Sequence, residues 1–407
     1  MRAAWPTQTL AEACQIKPPK SEARRQLSNS DLVSFAPMED LGIDQKRLVP
    51  KGTRALADVA GSYTYFADGD VLLAKITPCF ENGKLGIAAN LTNGVGFGSS
   101  EYMVFRPRPA LDKEWLYYYL SRETFRAEGA ARMSGAVGHK RVAKEFIDAY
   151  PIPVPPLSEQ QRIVGILDEA FDGIATAKAN AEKNLQNARA LFESHLQSVF
   201  ALKGDGWAET TLGEEIDLLA GFAFKSSQYT DADDDVRLLR GDNIVQGSLR
   251  WADVKKWSNT DTAEYGRYEL RTGDIVLAMD RPWVKAGLKR AMILESDLPC
   301  LLVQRTARIR AGRQLDRRFL MYLIGSGDFT RHILGIQTGI GVPHISGQQI
   351  KDFQFVMPPL AEQRRIAAKL DKLQEETQRL ESLYQRKLTA LDELKKSLLH
   401  QAFSGAL

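Results

Sequence analysis

The sequence predicts an α+β fold in which one architectural unit occurs twice, each time as a mixed α/β module followed by a long helix. Three observations lead to this prediction. A proline-rich motif begins at Val154 and again at Met357, 203 residues later in a chain of 407. Other positions match at nearly the same offset, and a heptad pattern follows each copy of the motif. A repeat of this length determines the architecture, because each half folds as the same kind of unit.

The proline-rich motif marks the junction between a module and its helix. The first copy reads Val154-Pro155-Pro156-Leu157-Ser158-Glu159-Gln160-Gln161-Arg162-Ile163, and the second reads Met357-Pro358-Pro359-Leu360-Ala361-Glu362-Gln363-Arg364-Arg365-Ile366. A proline pair ends a strand, because proline donates no ladder hydrogen bond. Ser158 is then expected to cap the following helix, with Gln161 as its capping-box partner. The second copy has Ala361 at the position of Ser158, so its cap must come from elsewhere.

The repeat extends over the modules, at offsets of 202 to 204 residues. The matched residues are Trp5, Thr9, Leu10 and Glu12 with Trp207, Thr211, Leu212 and Glu214, Gly69-Asp70 with Gly273-Asp274, and Phe200 with Phe403. Short apolar runs predict strands at Val71–Ala74, Tyr102–Phe105, Ile275–Ala278 and Leu301–Val303. Leu116–Leu120 and Phe319–Ile324 are predicted to be helical. The glycine-rich stretches Asn93–Gly98 and Gly335–Gly341 are expected to be loops.

Each long helix carries a heptad seam, which predicts that the two helices pack on each other as an antiparallel coiled coil. In the first helix the seam positions are Ile163, Leu167, Ala170, Ile174, Ala177, Ala181, Asn184, Ala188, Leu191 and His195. In the second they are Ile366, Leu370, Leu373, Thr377, Leu380, Tyr384, Lys387, Leu391, Leu394 and Leu398. The first seam is rich in alanine and the second in leucine, so large side chains are expected to cover small ones. The predicted domains are residues 1–156, 157–203, 204–359 and 360–407, with pseudo-twofold symmetry and one module at each end of the helix pair.

Composition excludes several classes of protein. With 44% hydrophobic and 26% charged residues the chain is globular, and no apolar run is long enough to span a membrane. Cys14, Cys79 and Cys300 are scattered without a CxxC motif, which argues against a zinc site and a disulfide framework. Free cysteines fit a reducing cytoplasm. The net charge of +3 is too small to identify a partner.

Catalytic motifs are weak or missing. Gly94-Val95-Gly96-Phe97-Gly98 resembles a nucleotide-binding loop but lacks the strand–loop–helix context. The sequence has no GxxxxGK[ST] or HExxH motif, and Thr77-Pro78-Cys79-Phe80 does not match the tetrapeptide of an amino-methyltransferase. Asp253-Val254-Lys255 and Glu393-Leu394-Lys395 match only the loose half of a nuclease motif. We therefore expect neither catalytic residues nor a metal or cofactor in this chain.

Basic segments occupy matched places in the two halves. Residues 280–318 hold ten basic residues against four acids, and residues 122–144 hold six against two. Arginine, lysine, asparagine and histidine on loops suit contacts to phosphates and base edges of nucleic acid. Solubilising surface charge is the alternative for any single residue. The candidate DNA contacts are Lys75, Asn82, Lys84, Arg132, His139, Lys140, Arg141, Lys144, Arg240, Asn243, Arg281, Lys285, Lys289, Arg305 and His344.

With these motifs the sequence resembles the specificity subunit of type I DNA restriction–modification systems. The doubled Pro-Pro-Leu-x-Glu-Gln motif, Gly273-Asp274-Ile275-Val276, Arg240-Gly241-Asp242-Asn243-Ile244 and Leu399-His400-Gln401-Ala402-Phe403-Ser404-Gly405 carry the resemblance, which covers nearly the whole chain. In the first half, Pro37-Met38-Glu39-Asp40 replaces the Arg-Gly-Asp-Asn run. The two modules are therefore expected to read different half-sites.

The resemblance implies two target-recognition domains on a bipartite, asymmetric double-stranded DNA site, with the helices setting the spacer between the half-sites. It also implies partners: two modification subunits that methylate adenine with S-adenosylmethionine, and restriction subunits that use ATP and Mg²⁺. The chain itself is then a non-catalytic, cytoplasmic recognition subunit. Two alternatives remain at this point, a coiled-coil scaffold whose modules bind proteins and an enzyme in its own right.

Overall fold

A computed structural model describes residues 5–136, 138–201, 204–284, 287–335 and 343–407, with the backbone alone for 261–263. The chain divides into two compact units: unit 1 comprises Met1–Glu182 and Gln385–Leu407, and unit 2 comprises Lys183–Tyr384. Each 45-residue helix therefore contributes one part to each unit. Among the described residues, no helix combines the length and the apolar character that crossing a membrane requires.

Unit 1 holds eleven strands and seven helices within its described residues. The strands are β1 (Thr7–Thr9), β2 (Cys14–Ile16), β3 (Leu32–Ala36), β4 (Arg47–Leu48), β5 (Gly52–Ala55), β6 (Thr64–Ala67), β7 (Val71–Ala74), β8 (Leu85–Ala88), β9 (Val95–Gly98), β10 (Tyr102–Pro107) and β11 (Pro151–Pro153). The helices are α1 (Leu10–Ala13), α2 (Ser21–Gln26), α3 (Leu56–Val59), α4 (Lys113–Leu120), α5 (Glu123–Ala131), α6 (Lys144–Ala149) and the first part of α7 (Leu157–Ala201). The last part of α12 (Leu360–Ser404) completes the unit.

Two sheets form the body of unit 1. One has the strand order β2-β10-β7-β8-β4, and the other has the order β5-β3-β9-β6. Strands β7, β8 and β9 are buried on both faces, which explains their continuous apolar sequences. Helix α4 packs on this body, and its Trp115 ring lies 4.5 Å from that of Phe403 at the end of α12. The core of the unit thus joins the module to the helices.

Unit 2 repeats the plan. The strands are β12 (Ala208–Thr211), β13 (Ile216–Ala220), β14 (Val236–Leu239), β15 (Lys255–Trp257), β16 (Ile275–Ala278), β17 (Trp283–Val284), β18 (Gly287–Leu288), β19 (Arg290–Met292), β20 (Cys300–Leu302), β21 (Thr306–Ala311) and β22 (Gln354–Met357). The helices are α8 (Leu212–Glu215), α9 (Arg317–Ile324), α10 (Gly327–Gly335), α11 (Gly347–Lys351) and α12 (Leu360–Ser404). The sheet orders are β13-β21-β16-β19 and β15-β14-β20.

The register of the strands shows that the two modules share one topology. Strands β3 and β9 are parallel, with Ser34 opposite Gly96, and β14 and β20 are parallel, with Arg237 opposite Cys300. Thr9 and Thr211 each form a capping box with a glutamate three residues on. The predicted fold class, two mixed modules with long helices, is confirmed.

A buried Gly-Asp turn opens the same strand in both units. Gly69 and Gly273 have φ values of +88° and +89°, which a side chain would strain. The next residue, Asp70 or Asp274, accepts hydrogen bonds from a backbone N–H three residues back and from two guanidinium nitrogens of an arginine on a neighbouring strand. Those arginines are Arg106 and Arg310. Part of the basic charge counted in the sequence therefore serves the fold.

The long helices begin at Leu157 and Leu360, where the predicted helical segments begin. Helix α7 starts at Leu157, so Ser158 lies within its first turn, and the prediction of Ser158 as N-cap was wrong. The Pro156 carbonyl accepts the first helical hydrogen bonds instead. Gln160 is fully buried; its amide accepts a hydrogen bond from the Asp112 N–H (2.8 Å) and donates to the Ala110 and Pro155 carbonyls.

Gln363 makes the same three contacts in unit 2. Its side chain accepts from the Asp316 N–H (2.8 Å) and donates to the Gln314 and Pro358 carbonyls. Asp112 and Asp316 in turn cap α4 and α9. The glutamine of the repeated motif thus ties the start of each long helix to the start of a module helix.

In unit 1 the helix segments run antiparallel, as predicted, because Arg162 donates to the Leu407 carbonyl (3.0 Å) and Lys178 pairs with Asp392 (2.7 Å). In unit 2 the two segments are joined by the pair of Arg189 with Glu381 (3.1 Å). The expected coverage of small side chains by large ones is only partly met. Ala181 and Ala188 are buried on the first helix, but the seam positions Leu191, Leu380 and Leu394 are 60%, 38% and 46% exposed.

One predicted loop is a strand. Val95–Gly98 forms β9 between β3 and β6, because its glycines let neighbouring groups approach closely. A Cβ at Gly98 would overlap the carbonyl oxygen of Ala36, and one at Gly96 would overlap the ring of Phe66. The other predicted loop, Gly335–Gly341, lies outside the described residues except for Gly335, which ends α10.

Candidate nucleic-acid interface

Three segments meet in the same way in the two units, at a place that we call the loop junction. In unit 1 the junction consists of Lys75, Glu101 and Val142. The Lys75 N–H donates to the Glu101 carbonyl (3.0 Å), and the Lys75 carbonyl accepts from the Val142 N–H (2.9 Å). Lys75 follows β7 directly, so a buried strand fixes its position.

The loop junction of unit 2 consists of Met279, Arg305 and Ile345 and makes the equivalent bonds. The Met279 N–H donates to the Arg305 carbonyl (2.9 Å), and the Met279 carbonyl accepts from the Ile345 N–H (2.9 Å). The backbone frame is therefore shared by the two units. The side chains that it presents are different.

In unit 1 the loop junction carries an arginine paired with a glutamate. Arg141 donates from Nε and Nη2 to the two carboxylate oxygens of Glu101, at 2.9 and 2.7 Å. The Lys75 ammonium donates to the Ser100 carbonyl (3.0 Å). Burial lowers the pKa of Lys75, and the positive charges of Lys17 and Arg141 lower it further, although Glu101 opposes them.

In unit 2 the charges are arranged in the opposite order. Arg305 stands at the matched position of Glu101, and its Nη1 donates to Asp280 (2.7 Å). The other oxygen of Asp280 lies 2.5 Å from Nδ1 of His344, which stands at the position of Arg141. One aspartate thus holds both an arginine and a histidine at the surface.

A pocket of about 400 Å³ opens beside this cluster. Its lining residues are Tyr229, Arg240, Gly241, Asp242, Asp280, Arg281, Lys289, Val303, Gln304 and Arg305. Four of these side chains are basic and two are acidic. Burial lowers the pKa of Lys289, and Arg281 and Arg250 lower it further against the opposite effect of Asp242. The pocket therefore has an excess of positive charge suited to an anionic ligand.

Asn243 is a correction to the predicted site. Its side chain is buried; the amide oxygen accepts from the Arg240 N–H (3.0 Å) and the amide nitrogen donates to the Arg250 carbonyl (3.1 Å). With both amide groups bonded to the backbone, Asn243 holds a turn and does not face a base. Asp40 does the same in unit 1, where it is buried and accepts from the Lys51 N–H (3.1 Å).

The remaining predicted residues of unit 1 differ in their surroundings. Thr77 donates its N–H to the carbonyl of Lys140, which together with His139 is exposed beside Arg141. Lys84 donates to the Met38 carbonyl (2.7 Å), so its ammonium also holds the fold. Asn82 and Arg132 are exposed, and Arg132 lies over the Phe146 ring. Lys144 is exposed and pairs with Asp148 on α6.

The predicted residues of unit 2 divide in a similar way. Arg281, Lys289 and Arg305 line the pocket, and Arg240 lines it while donating to the Asp253 carbonyl (3.0 Å). Lys285 lies outside the described residues. Arg308 and Arg310 of the same basic segment pair with Asp217 and Asp274 within the sheet, so they are structural.

The comparison with known families decides what these units are. The model of the type I restriction modification DNA specificity domain matches residues 5–186 and again residues 204–389. The chain belongs to this family. The two matches coincide with the two halves of the repeat, so each module with the start of its helix is one copy of the specificity domain.

Relatives of the full architecture support the assignment. The specificity subunit of the type I restriction enzyme EcoAI from Escherichia coli is 29% identical, over 91% of this chain and 77% of the relative. The MjaVIII specificity subunit from Methanocaldococcus jannaschii is 26% identical, over 73% of this chain and 71% of the relative. The predicted resemblance is confirmed, and these relatives favour DNA recognition over a scaffold that binds proteins.

Two solved structures share the fold. A chain from a structure of the type I R-M system, solved to explain complex assembly and conformational transition, superposes with a TM-score of 0.80 at 19% identity and covers 100% of this chain and 99% of its own. The HsdS subunit from Thermoanaerobacter tengcongensis gives a TM-score of 0.65 at 19% identity, covering 100% and 98%. These similarities establish the arrangement of elements within the fold.

The DNA contacts stay predictions, and sequence reasoning missed the residues that orient them. Glu101 and Asp280 hold Arg141 and Arg305 in place, yet neither was a candidate. A signal was available, because the repeat places Glu101 opposite Arg305 and Arg141 opposite His344 at the established offsets. Within the described part of the chain, no three histidine, cysteine or acidic side chains converge to hold a metal ion.

Proposed function

We propose that each specificity domain reads one half of a bipartite, asymmetric site on double-stranded DNA, with its loop junction directed at the bases. One observation carries this proposal: two copies of the specificity domain share a backbone frame and differ in the side chains at its loop junction. A common frame docks both modules in the same way on duplex DNA. Different side chains on that frame give each half-site its own sequence.

Phosphate contacts supply most of the affinity in this proposal. Lys289, Arg281 and Lys75 are basic and lie at or beside the loop junctions. Each phosphate neutralised by such a group releases counterions, so the logarithm of the binding constant falls with the logarithm of salt concentration by about 0.9 per contact. Base edges are then read by the arginines that carboxylates orient.

The chain acts in this proposal as a non-catalytic subunit that directs partner subunits to their DNA. Two modification subunits bind S-adenosylmethionine and methylate adenine, and restriction subunits use ATP and Mg²⁺. Family membership supports this division of labour, as do the exposed leucines Leu191, Leu380 and Leu383 on the long helices, which offer apolar contact surface. The free thiols of Cys14, Cys79 and Cys300 are compatible with a cytoplasmic location.

Modified-base sequencing of host DNA tests the proposal directly. A strain that carries this gene with its modification subunits is compared with the same strain lacking only this gene. We expect methyladenine at one bipartite, asymmetric motif in the first strain and its complete loss in the second. Methylation that persists at the same motif without this gene would show that another chain supplies the specificity.

A further inference from the structure

A carboxylate holds the guanidinium of Arg305 through one of its three nitrogens. Nη1 donates to Asp280 (2.7 Å), while the side chain is 67% exposed. Among the described residues, Asp280 is the hydrogen-bond partner of this guanidinium, which leaves Nε and Nη2 available to a ligand. An arginine with one edge bonded to protein and the other directed outward is preorganised to bind a planar pair of acceptors.

Arg141 in unit 1 is the informative contrast. Both Nε and Nη2 donate to Glu101, and Nη1 donates to the His139 carbonyl (3.2 Å). All three nitrogens are therefore bonded within the protein. The same backbone frame thus holds a satisfied arginine in unit 1 and a half-satisfied arginine in unit 2.

The backbone also fixes Arg305. Its φ is +65° and that of Arg281 is +45°, in a region that residues other than glycine seldom adopt. The Arg305 carbonyl accepts from the Met279 N–H in the loop junction, which holds this conformation in place. Strained backbone of this kind persists where the surrounding structure over-determines it, and it occurs most often at binding sites.

We propose that Arg305 reads one guanine of the half-site bound by unit 2, with Asp280 as the residue that positions it. This inference rests on the proposed function and adds the residue and the base. Guanine presents O6 and N7 in the major groove, and the outward N–H groups of an arginine match this pair of acceptors. Arg281 and Lys289, which line the same pocket, contact the neighbouring phosphates.

The test uses the complex of this chain with its modification subunits and duplexes that contain the motif found by sequencing. Each guanine of the half-sites is replaced in turn by 7-deazaguanine, which lacks the N7 acceptor. For the native complex we expect one guanine of one half-site at which the replacement weakens binding by about 5- to 150-fold. The Arg305→Ala and Arg305→Gln complexes should bind the normal and substituted duplexes at that position equally well.

Arg331→Ala is the matched control. Arg331 is 65% exposed and pairs with Asp328 on α10, and it does not line the pocket. Its complex should retain the full sensitivity to 7-deazaguanine. Asp280→Ala should reduce the sensitivity without removing it, because the arginine remains but loses its orientation.

Two results would overturn the assignment. If 7-deazaguanine weakens binding equally for the native and both Arg305 variants at every position, Arg305 reads no guanine. If the variants bind all duplexes more weakly by one common factor and keep the sensitivity, Arg305 is a phosphate contact. A native complex that selects no sequence at all contradicts the proposed function itself, which separates that failure from a failure of this residue assignment.

Discussion

The side chain of Gln160 fixes the position at which an entire helix begins. It is fully buried and bonds three backbone groups, one N–H and two carbonyls, all of which precede the start of the helix. A buried backbone group that loses its partner costs about 1–3 kcal/mol. The motif glutamine therefore acts as a structural tie and needs no contact with DNA.

We expect Gln160→Ala to lower the free energy of unfolding by about 2–4 kcal/mol, because it leaves the Asp112 N–H and the Ala110 carbonyl without partners. Denaturant titration of the full chain measures this change. The neighbouring Gln161 is exposed, so Gln161→Ala should change stability by less than about 0.5 kcal/mol. If the two substitutions change stability equally, Gln160 does not have this structural role.

Lys289 lies in the pocket of unit 2 at a cost to folding. Burial lowers its pKa below the ordinary value of 10.5, so the unfolded chain binds this proton more tightly than the folded one. Stability therefore rises with pH as the lysine deprotonates in the alkaline range. The ammonium is retained in spite of this cost, which fits a role in binding phosphate.

Lys289→Met should stabilise the chain at neutral pH, and its advantage over the native chain should shrink as the pH approaches 10.5. The same substitution should lower the salt slope of DNA binding by about 0.9, because one phosphate contact is lost. Thermal unfolding against pH and binding against salt measure the two effects. Lys372→Met on the exposed face of α12 is the control, and it should change neither the pH dependence of stability nor the salt slope. If it changes both as Lys289→Met does, the pocket has no special role.

At the residue scale the sequence predicted chemistry better than placement. The basic loop residues Arg281, Lys289 and Arg305 line one pocket. Asn243, a polar residue of the same predicted site, is buried, because its amide satisfies a turn that no periodicity reveals. A short polar side chain in a loop can bond its own backbone or a ligand, and composition does not distinguish these two uses.

At the scale of elements, strand β9 shows why glycine content is a poor predictor of secondary structure. Glycine is rare in strands, so Val95–Gly98 looked like a loop, yet it is buried between β3 and β6. The residues that require glycine here, Ala36 and Phe66, are distant in sequence. The close approach of these two residues to the glycines is a tertiary contact, which the local sequence pattern cannot predict.

Overpacking a core costs about 1–3 kcal/mol, and Gly98→Ala should destabilise unit 1 by an amount at the upper end of that range. The reason is that the new Cβ meets a backbone carbonyl, which cannot move away. Gly61 offers the control: a Cβ there has open space, and the backbone φ is not in the left-handed region. Gly61→Ala should be neutral or stabilise by up to about 1 kcal/mol. Denaturation midpoints of the two variants measure the difference, and a neutral Gly98→Ala would contradict the close packing of β9 against β3.

On the scale of the whole molecule, the duplicated motif predicted most of the architecture. The 203-residue offset alone identifies two copies, and the family model matches the same two halves. The phase of the helix seam was less predictable. The heptad pattern predicts Leu191 in the seam, but Leu191 is exposed, whereas Leu196 and Val199 are buried. Near that end the helix packs into the module core of unit 2, which contains Leu196 and Val199.

The long helices make the spacer between half-sites testable. Both run without interruption for 45 residues, and each contributes to both units. We propose that their length sets the number of unread base pairs, so four residues inserted into both helices, after Lys183 and after Tyr384, should lengthen the spacer. One added turn is about 5–6 Å, or roughly one to two base pairs at 3.4 Å each. Modified-base sequencing should then show both half-sites unchanged around a longer spacer.

Four residues inserted into the exposed loop at Asp233 add the same mass without lengthening a helix, and they should leave the spacer as it is. A spacer that stays constant in the helix variant, while methylation continues, would mean that the helices do not measure the DNA.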